Sequence, residues 1–272
     1  MSITFNYKNF RKQTINRFLM LKGYSDNNIY YLIKNKNVLA NNKPVLDKNE
    51  IIEAKNIISV TLNDEENTLI ECKENIKIVY EDKYLLIVDK DKYDDVEPTK
   101  ENNETSLANK VTYYFNQNNI KSKIHLVNRL DKLTSGLIII AKNQYIHNLM
   151  QRVEIHKKYL ALVKGKTDKN GLIKVNIARQ ENSIKRIVDP NGKESLTYYK
   201  RLEYKNDQSL LNLTLLTGRT HQIRVSCAHI NHPLVGDPLY SDDTQENMFL
   251  RAYKLNFIHP ISKKKISITL TH

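Results

Sequence analysis

Apolar positions recur with a helical period early in the chain. Thr14 is followed by Ile15, Phe18 and Leu19, and Ser25 by Ile29, Leu32 and Ile33, spacings that place each apolar set on one helix face. Thr and Ser hydroxyls satisfy the free N–H groups of a first helical turn, so two short capped helices are predicted, one over 14–22 and one from Ser25. VLANNKPV then reads as two strands around Asn41-Asn42, since asparagine tolerates the left-handed backbone of a tight hairpin turn, and a further strand is expected at Ile51-Ile52. The stretch 63–75, NDEENTLIECKEN, is polar, acidic and without period, and the domain boundary is placed inside it, giving units of 1–70 and 71–272.

Beyond that boundary the period changes. IKIVYEDKYLLIVDK predicts two strands around Glu81-Asp82-Lys83, and Thr105 opens a helix toward Phe115. Strands are expected over 137–141, 158–163, 196–202 and 210–215, and helices over 144–154 and 220–230. The acidic stretch 94–104 reads as a surface loop, and neither repeats nor low-complexity segments interrupt the pattern. Strands and helices mixed in this way predict an α+β fold with a large sheet.

Composition narrows the chemistry. The chain has 272 residues, 43 Lys+Arg against 30 Asp+Glu, and a formal charge of +13, a surplus that favours a polyanionic partner, with nucleic acid first. Nine basic residues against two acidic ones lie between Lys8 and Lys48, a local surplus of seven that is more than half of the chain's total. The apolar runs are far too short to span a bilayer, and MSITFNYKNFRK lacks the apolar middle of a secretion signal, so a cytoplasmic protein without membrane attachment is expected. Cys72 and Cys227 form no CxxC pair, and His229-x-x-His232 lacks a third ligand, so no metal is assigned.

The run TINRFLMLKGYSDNNIYYLIKNKNVLANNKPV resembles the alpha-L motif, a small RNA-binding domain found in a ribosomal small-subunit protein and several RNA-modifying enzymes. Asn42 replaces its usual turn glycine. The resemblance implies shape and phosphate recognition of folded RNA, with Arg17, Lys22, Lys34, Lys36 and Lys43 as candidate contacts.

Four later stretches, RLDKLTSG, KKYLALVKG, TGRTHQIR and HPLVGDPLY, in this order, resemble the RluA/RluD family of pseudouridine synthases. That likeness implies a catalytic domain with a large mixed, mainly antiparallel sheet flanked by helices. It makes Asp131 the catalytic aspartate, Tyr159 the active-site tyrosine and Arg224 the arginine that pairs with the carboxylate. Arg129 matches the arginine that displaces the target base, and Arg219, His221 and Gln222 are candidates for contacting RNA or positioning the active-site loop. The implied substrate is RNA, large-subunit ribosomal RNA first and transfer RNA second, with the protein acting as a monomer. A non-catalytic RNA-binding or ribosome-assembly protein on the same fold is the alternative, and a hydrolytic nucleosidase a third reading.

The residue types suit the implied reaction. Turning uridine into pseudouridine breaks a bond from ribose to uracil nitrogen and forms one to a ring carbon without net oxidation or reduction, so no cofactor is expected. Glycosidases need two carboxylates because water must be activated and a leaving group protonated, whereas an isomerase keeps its leaving group and needs one. Asp131 acts either as nucleophile at the sugar or as base toward it, and a neighbouring arginine favours its ionised form. Tyr159 offers a ring face to the uracil and a hydroxyl toward the carbon that loses its proton. Flipping the base costs about a few kcal/mol, which phosphate contacts and stacking can offset. Asn128, Ser226 and Arg251 stand where the family usually has histidine, Asn231 where it has glycine, and Lys90-Asp91-Lys92-Tyr93 where it has a Lys-Pro-x-Gly turn.

Overall fold

The computed structural model describes residues 2–242 and 247–271. The N-terminal unit runs β1 (Ile3–Lys8), β2 (Gln13–Thr14), α1 (Ile15–Leu21), α2 (Asp26–Lys34), β3 (Val38–Ala40), β4 (Lys43–Pro44), β5 (Ile51–Ile52) and β6 (Ile57–Leu62). Both helices start at the expected caps: Thr14 Oγ1 accepts the Arg17 N–H at 3.3 Å, and Ser25 Oγ accepts that of Asn28 at 3.2 Å. Asn41 and Asn42, at φ 48° and 64°, turn β3 into β4 as the hairpin reading requires. The pairing of β1 with β6, which closes the order β1-β6-β3-β4, was not expected, because only contact between distant segments makes those alternating runs strands.

The remainder runs β7 (Lys77–Glu81), β8 (Leu85–Lys90), α3 (Leu107–Gln117), β9 (His125–Leu126), β10 (Ser135–Ala141), α4 (Gln144–Met150), β11 (His156–Lys164), β12 (Asn170–Arg179), β13 (Arg186–Val188), β14 (Lys193–Lys205), β15 (Gln208–Leu215), α5 (Gln222–His229), β16 (Leu250–Ile258) and β17 (Lys265–Thr269). One large sheet follows the order β13-β12-β14-β15-β11-β16-β10-β8-β7, with β17 beside β16 and β9 beside β10. Among the described strands β10 and β16 pair in parallel and the other neighbours antiparallel, so the sheet is mixed and mainly antiparallel. Helix α3 is capped by Ser106 rather than Thr105, with Asn109 returning the bond, and α4 stops at Met150, short of the expected 154.

Continuous apolar runs arise because both sheet faces are covered. In β10, Ile138 and Ile140 face a core with Val111 and Phe115 of α3 and Ile223 of α5, while Leu137, Ile139 and Ala141 face Ile146 of α4 and the N-terminal unit. The two units thus share one apolar core across the junction. Tyr24 and Tyr145 stack with ring centroids 4.2 Å apart, Tyr7 Oη bonds both hydroxyls, and Tyr145 donates to the Lys22 carbonyl at 2.9 Å. The polar connection is tied down at Glu65, whose carboxylate accepts from His125 at 2.5 Å and from the Gln144 N–H at 3.2 Å. Burial is the largest single influence and works against that carboxylate's charge, but the bond and charge of His125 and the N–H groups of Gln144 and Lys123 together outweigh it and lower its pKa.

Gly136 closes the TSG turn under a steric demand. Its φ is +114°, and a β-carbon there would collide with the Ala252 carbonyl and lie 2.7 Å from the Ala252 nitrogen, where β10 meets β16 in parallel. Gly136→Ala is expected to cost at least about 2 kcal/mol, read as a lower urea midpoint at unchanged slope. An unshifted midpoint would show that the two backbones are not so close.

Candidate active site

Asp131 lies in the turn between β9 and β10, where its carbonyl accepts the Thr134 N–H at 2.9 Å. Just upstream, the buried Asn128 amide donates to the Leu137 carbonyl at 3.2 Å and accepts the Ile139 N–H at 2.8 Å. One donor and one acceptor on a short planar group do for this turn what a neutral imidazole would do, without a titratable ring.

Facing Asp131 is Arg224 on α5, buried and gripped from behind. Arg224 Nε and Nη2 each donate to Asp237 at 2.7 Å, a bidentate pair in which both partners are out of solvent. Its remaining nitrogen, Nη1, stands 3.9 Å from Asp131 Oδ2. Burial alone would disfavour the guanidinium charge; the Asp237 bonds and charge outweigh it and raise the Arg224 pKa. Asp237 also accepts the N–H groups of Leu239 and Tyr240 at 2.9 and 3.2 Å.

Tyr240 completes the back wall. Its ring lies 5.1 Å from the Arg224 guanidinium carbon, and its hydroxyl lies 2.9 Å from His221 Nδ1 while accepting the Arg186 N–H at 2.8 Å. The other ring nitrogen of His221, Nε2, stands 3.9 Å from Asp131 Oδ2. Burial lowers the His221 pKa first; Asp131 opposes this, and Arg224 and Arg186 add to it. His221 takes the left-handed conformation, φ 55°, as α5 begins.

Tyr159, on β11, is buried beside this group, and burial followed by the Asp131 charge raises its pKa, keeping the phenol protonated. Asp131, Tyr159, His221, Lys157 and Arg186 line a cleft of about 1130 Å³ together with Arg129, Lys132 and Arg219. The acidic stretch is more than a surface loop: residues 95–99 form one wall of this cleft. Glu97 holds Arg129 at 3.1 Å and Asp95 holds Lys132 at 3.0 Å, so carboxylates occupy two cations at the mouth. Fully buried Lys90 anchors the loop by donating to the carbonyls of Asp91, Asp94 and Lys132 at 2.8, 2.9 and 3.2 Å. Burial pulls its pKa down to about 8 against the pull of the nearby aspartates. Tyr93, at the family's glycine position, adopts φ 73° there.

The structure brings Asp131, Tyr159, Arg224, Arg129, Arg219 and His221 to one place. Gln222 is turned inward instead: its oxygen accepts from Thr217 and the Arg219 N–H at 3.0 and 2.9 Å, and its nitrogen donates to the Leu196 carbonyl at 3.0 Å, which supports the loop rather than facing the cleft. Arg17, Lys34, Lys36 and Lys43 are exposed on the N-terminal unit. Lys22 differs, its ammonium lying 5.4 and 5.5 Å from the Tyr7 and Phe18 ring centres near the junction. Asn231 takes φ 61°, which explains how asparagine can replace glycine there, and Arg251 donates to Asp89 at 2.7 Å. Asp237, Tyr240, Lys90 and Lys157 were not assigned from sequence, although HPLVGDPLY contains the first two and KKYLALVKG the last.

Asp131 faced by a fixed arginine, beside a buried tyrosine in an open cleft lined by several cations, brings a carboxylate, a held positive charge and an aromatic ring together. A family profile described as RNA pseudouridylate synthase matches residues 84–229, which contain Asp131, Tyr159 and Arg224. The chain is 33% identical over 199 residues to the uncharacterized RNA pseudouridine synthase YjbO of Bacillus subtilis, covering 70% of each chain. It is 32% identical over 293 residues to the ribosomal large subunit pseudouridine synthase C of Buchnera aphidicola, covering 96% of this chain and 91% of that one. Among solved structures, human RNA pseudouridylate synthase domain containing 1 superposes with a TM-score of 0.62 at 26% identity, over 73% of this chain and 84% of that one. The chain belongs to the RNA pseudouridylate synthase family and is an RNA isomerase.

Proposed function

We propose that this isomerase acts on uridines of structured large-subunit ribosomal RNA, using Asp131 against the ribose, Arg224 to orient that carboxylate and Tyr159 to receive the base. The observation that carries the reading is the division of labour at Arg224: two nitrogens are committed to Asp237, which fixes the third toward Asp131. Large-subunit ribosomal RNA is favoured by the name of a relative that aligns over 96% of the chain. Arg129 at the mouth is the group we assign to displacing the base, exchanging Glu97 for an RNA phosphate as it does so. The protein is assigned as a monomer, its cleft being lined within one chain, and as cytoplasmic; no described helix is long and apolar enough to cross a membrane.

Release of tritium from uridine labelled at carbon 5 tests the assignment, with unmodified large-subunit RNA, small-subunit RNA and transfer RNA as parallel substrates. Release from large-subunit RNA alone is expected. Release from transfer RNA alone would move the substrate, and free uracil in place of pseudouridine would replace isomerisation by hydrolysis.

The N-terminal unit is assigned to RNA binding through shape and phosphate contacts, supported by its capped helices, its Asn41-Asn42 hairpin and its exposed cations. Lys34→Gln with Lys36→Gln is expected to weaken binding and to reduce the slope of log affinity against log salt by about 1 to 2, while single-turnover chemistry on bound RNA is unchanged. An unaltered slope removes both lysines from the interface.

A further inference from the structure

The lysines packed against the 90–99 loop have partners. Lys132 pairs with Asp95, Lys110 with Glu74 and Asp94, and Lys90 donates to three carbonyls. Lys157 differs. It is partly buried in the cleft wall, and among the described residues no hydrogen bond or ion pair engages its ammonium. Burial lowers its pKa, with no carboxylate acting in the other direction. A partly desolvated cation left without a partner carries a cost that falls when an anion arrives.

Its place on the strand says which anion. Lys157 precedes Tyr159 by two residues on β11, which pairs regularly with β15 from Lys158 onward, Lys158 opposite Thr214 and Tyr159 opposite Leu213. The irregularity between Lys158 and Tyr159 belongs to the other side, where β16 skips from Lys254 to Ala252. The two side chains therefore share one face, about 7 Å apart along the strand, and both line the cleft. A uracil lying on the Tyr159 ring, with its sugar toward Asp131, would have Lys157 two residues along the same strand face.

The reaction makes that base negative. Whether Asp131 attacks the sugar carbon or removes a sugar proton, the bond from ribose to N1 breaks and its electron pair leaves with the base. Uracil is then an anion with charge spread over N1 and its carbonyl oxygens. After the ring turns, carbon 5 supplies the pair that forms the new bond to the sugar, while the sugar–Asp131 bond breaks in the first route or Asp131 returns the sugar proton in the second; carbon 5 then loses its proton and N1 gains one from solvent.

We propose that Lys157 is a further catalytic residue, an ammonium that stays protonated and donates a hydrogen bond to a carbonyl oxygen of the detached uracil, stabilising the anion while it turns. This uses a fixed charge where charge develops, and it binds the intermediate more strongly than the neutral base. The inference rests on the isomerase reading and leaves open how Asp131 acts.

The full-length chain carrying Lys157→Met, which keeps the apolar stem, is compared with the native protein in single turnovers on RNA with either uridine or 5-fluorouridine at the target. Conversion is followed by loss of the nucleoside from nuclease digests. With uridine, the rate on bound RNA is expected to fall about 10²-fold with affinity for RNA unchanged. Fluorine makes the departing base a weaker base that needs less help, so with 5-fluorouridine the loss is expected to be at least roughly tenfold smaller. Lys157→Arg, which restores a donor cation, is expected to recover part of the uridine rate. Equal losses on both substrates, a loss of RNA affinity alone as for a phosphate contact, or full activity in the Met variant would each overturn the proposal. If the native protein converts neither substrate, the isomerase reading itself fails, and with it the role given to Lys157.

Discussion

Asp131→Asn is expected to lower tritium release from labelled ribosomal RNA by at least about 10³-fold while leaving RNA affinity and thermal stability close to native. Asparagine keeps the shape of the side chain and one acceptor, but it neither attacks the sugar nor takes a proton. The fold is spared for a reason visible at Arg224. Its buried charge is already paired through two bonds to Asp237, so loss of the second carboxylate leaves no uncompensated cation in the interior. His221 supplies a spectroscopic check. Asp131 is the largest influence raising its pKa, against burial, Arg224 and Arg186. With that charge removed, the imidazole is expected to hold its proton only at lower pH than in the native protein, as read by its ring resonances in an NMR titration. Retained tritium release would remove Asp131 from the chemistry, and an unmoved His221 titration would show that the two groups are not electrostatically linked.

The readability of this fold follows the range of the forces involved. Helices α1 and α2 were legible because a hydroxyl cap and an apolar face are both local, and the caps fall at Thr14 and Ser25 as expected. Strands β8 and β10 were legible because both sheet faces are covered and their sequences are apolar throughout. Strands β1 and β6 were not: ITFNYK and IISVTL become strands by pairing with each other across almost the whole unit. Strands β12 and β16 were missed although NGLIKVNIAR and LRAYKLNFI alternate, because single-face alternation is a weak signal until a partner strand fixes the register.

The candidate site divides in the same way. The likeness of ordered motifs led to Asp131, Tyr159 and Arg224, and the structure gathers them. It also shows what a list of motif letters does not express. Asp237 orients Arg224 through a contact of two rigid planar groups, and Lys90 acts on the loop by reaching carbonyls at Asp91, Asp94 and Lys132. Lys157 was hidden for the opposite reason: what marks it is the lack of a partner among the described residues, a property of three-dimensional surroundings.

Replacing Asp237 should do what replacing Asp131 does not. Asp237 is fully buried, and among the described residues its carboxylate accepts four hydrogen bonds, two from Arg224 and one each from the Leu239 and Tyr240 backbone. Asp237→Asn removes the charge that compensates the buried guanidinium and replaces one acceptor oxygen by a donor aimed at it. The expected cost is about 3–5 kcal/mol, enough to lower the melting temperature by roughly 5 °C or more. Activity should fall as well, by about 10²-fold or more, through reorientation rather than loss of a reacting group. Arg224 Nη1 already stands 3.9 Å from Asp131, so a guanidinium freed from Asp237 has an obvious second carboxylate to close on. A carboxylate held in a tight bidentate pair is a poorer nucleophile and a poorer base, and its oxygens no longer point into the cleft. The Asp131→Asn, Asp237→Asn double variant separates these effects. Its stability should be no higher than that of Asp237→Asn, since the second carboxylate is gone too, whereas its residual rate should match Asp131→Asn alone, because both changes act on activity through one carboxylate. Multiplying rate losses in the double variant, or a stable and fully active Asp237→Asn, would show that Asp237 does not set the position of Arg224.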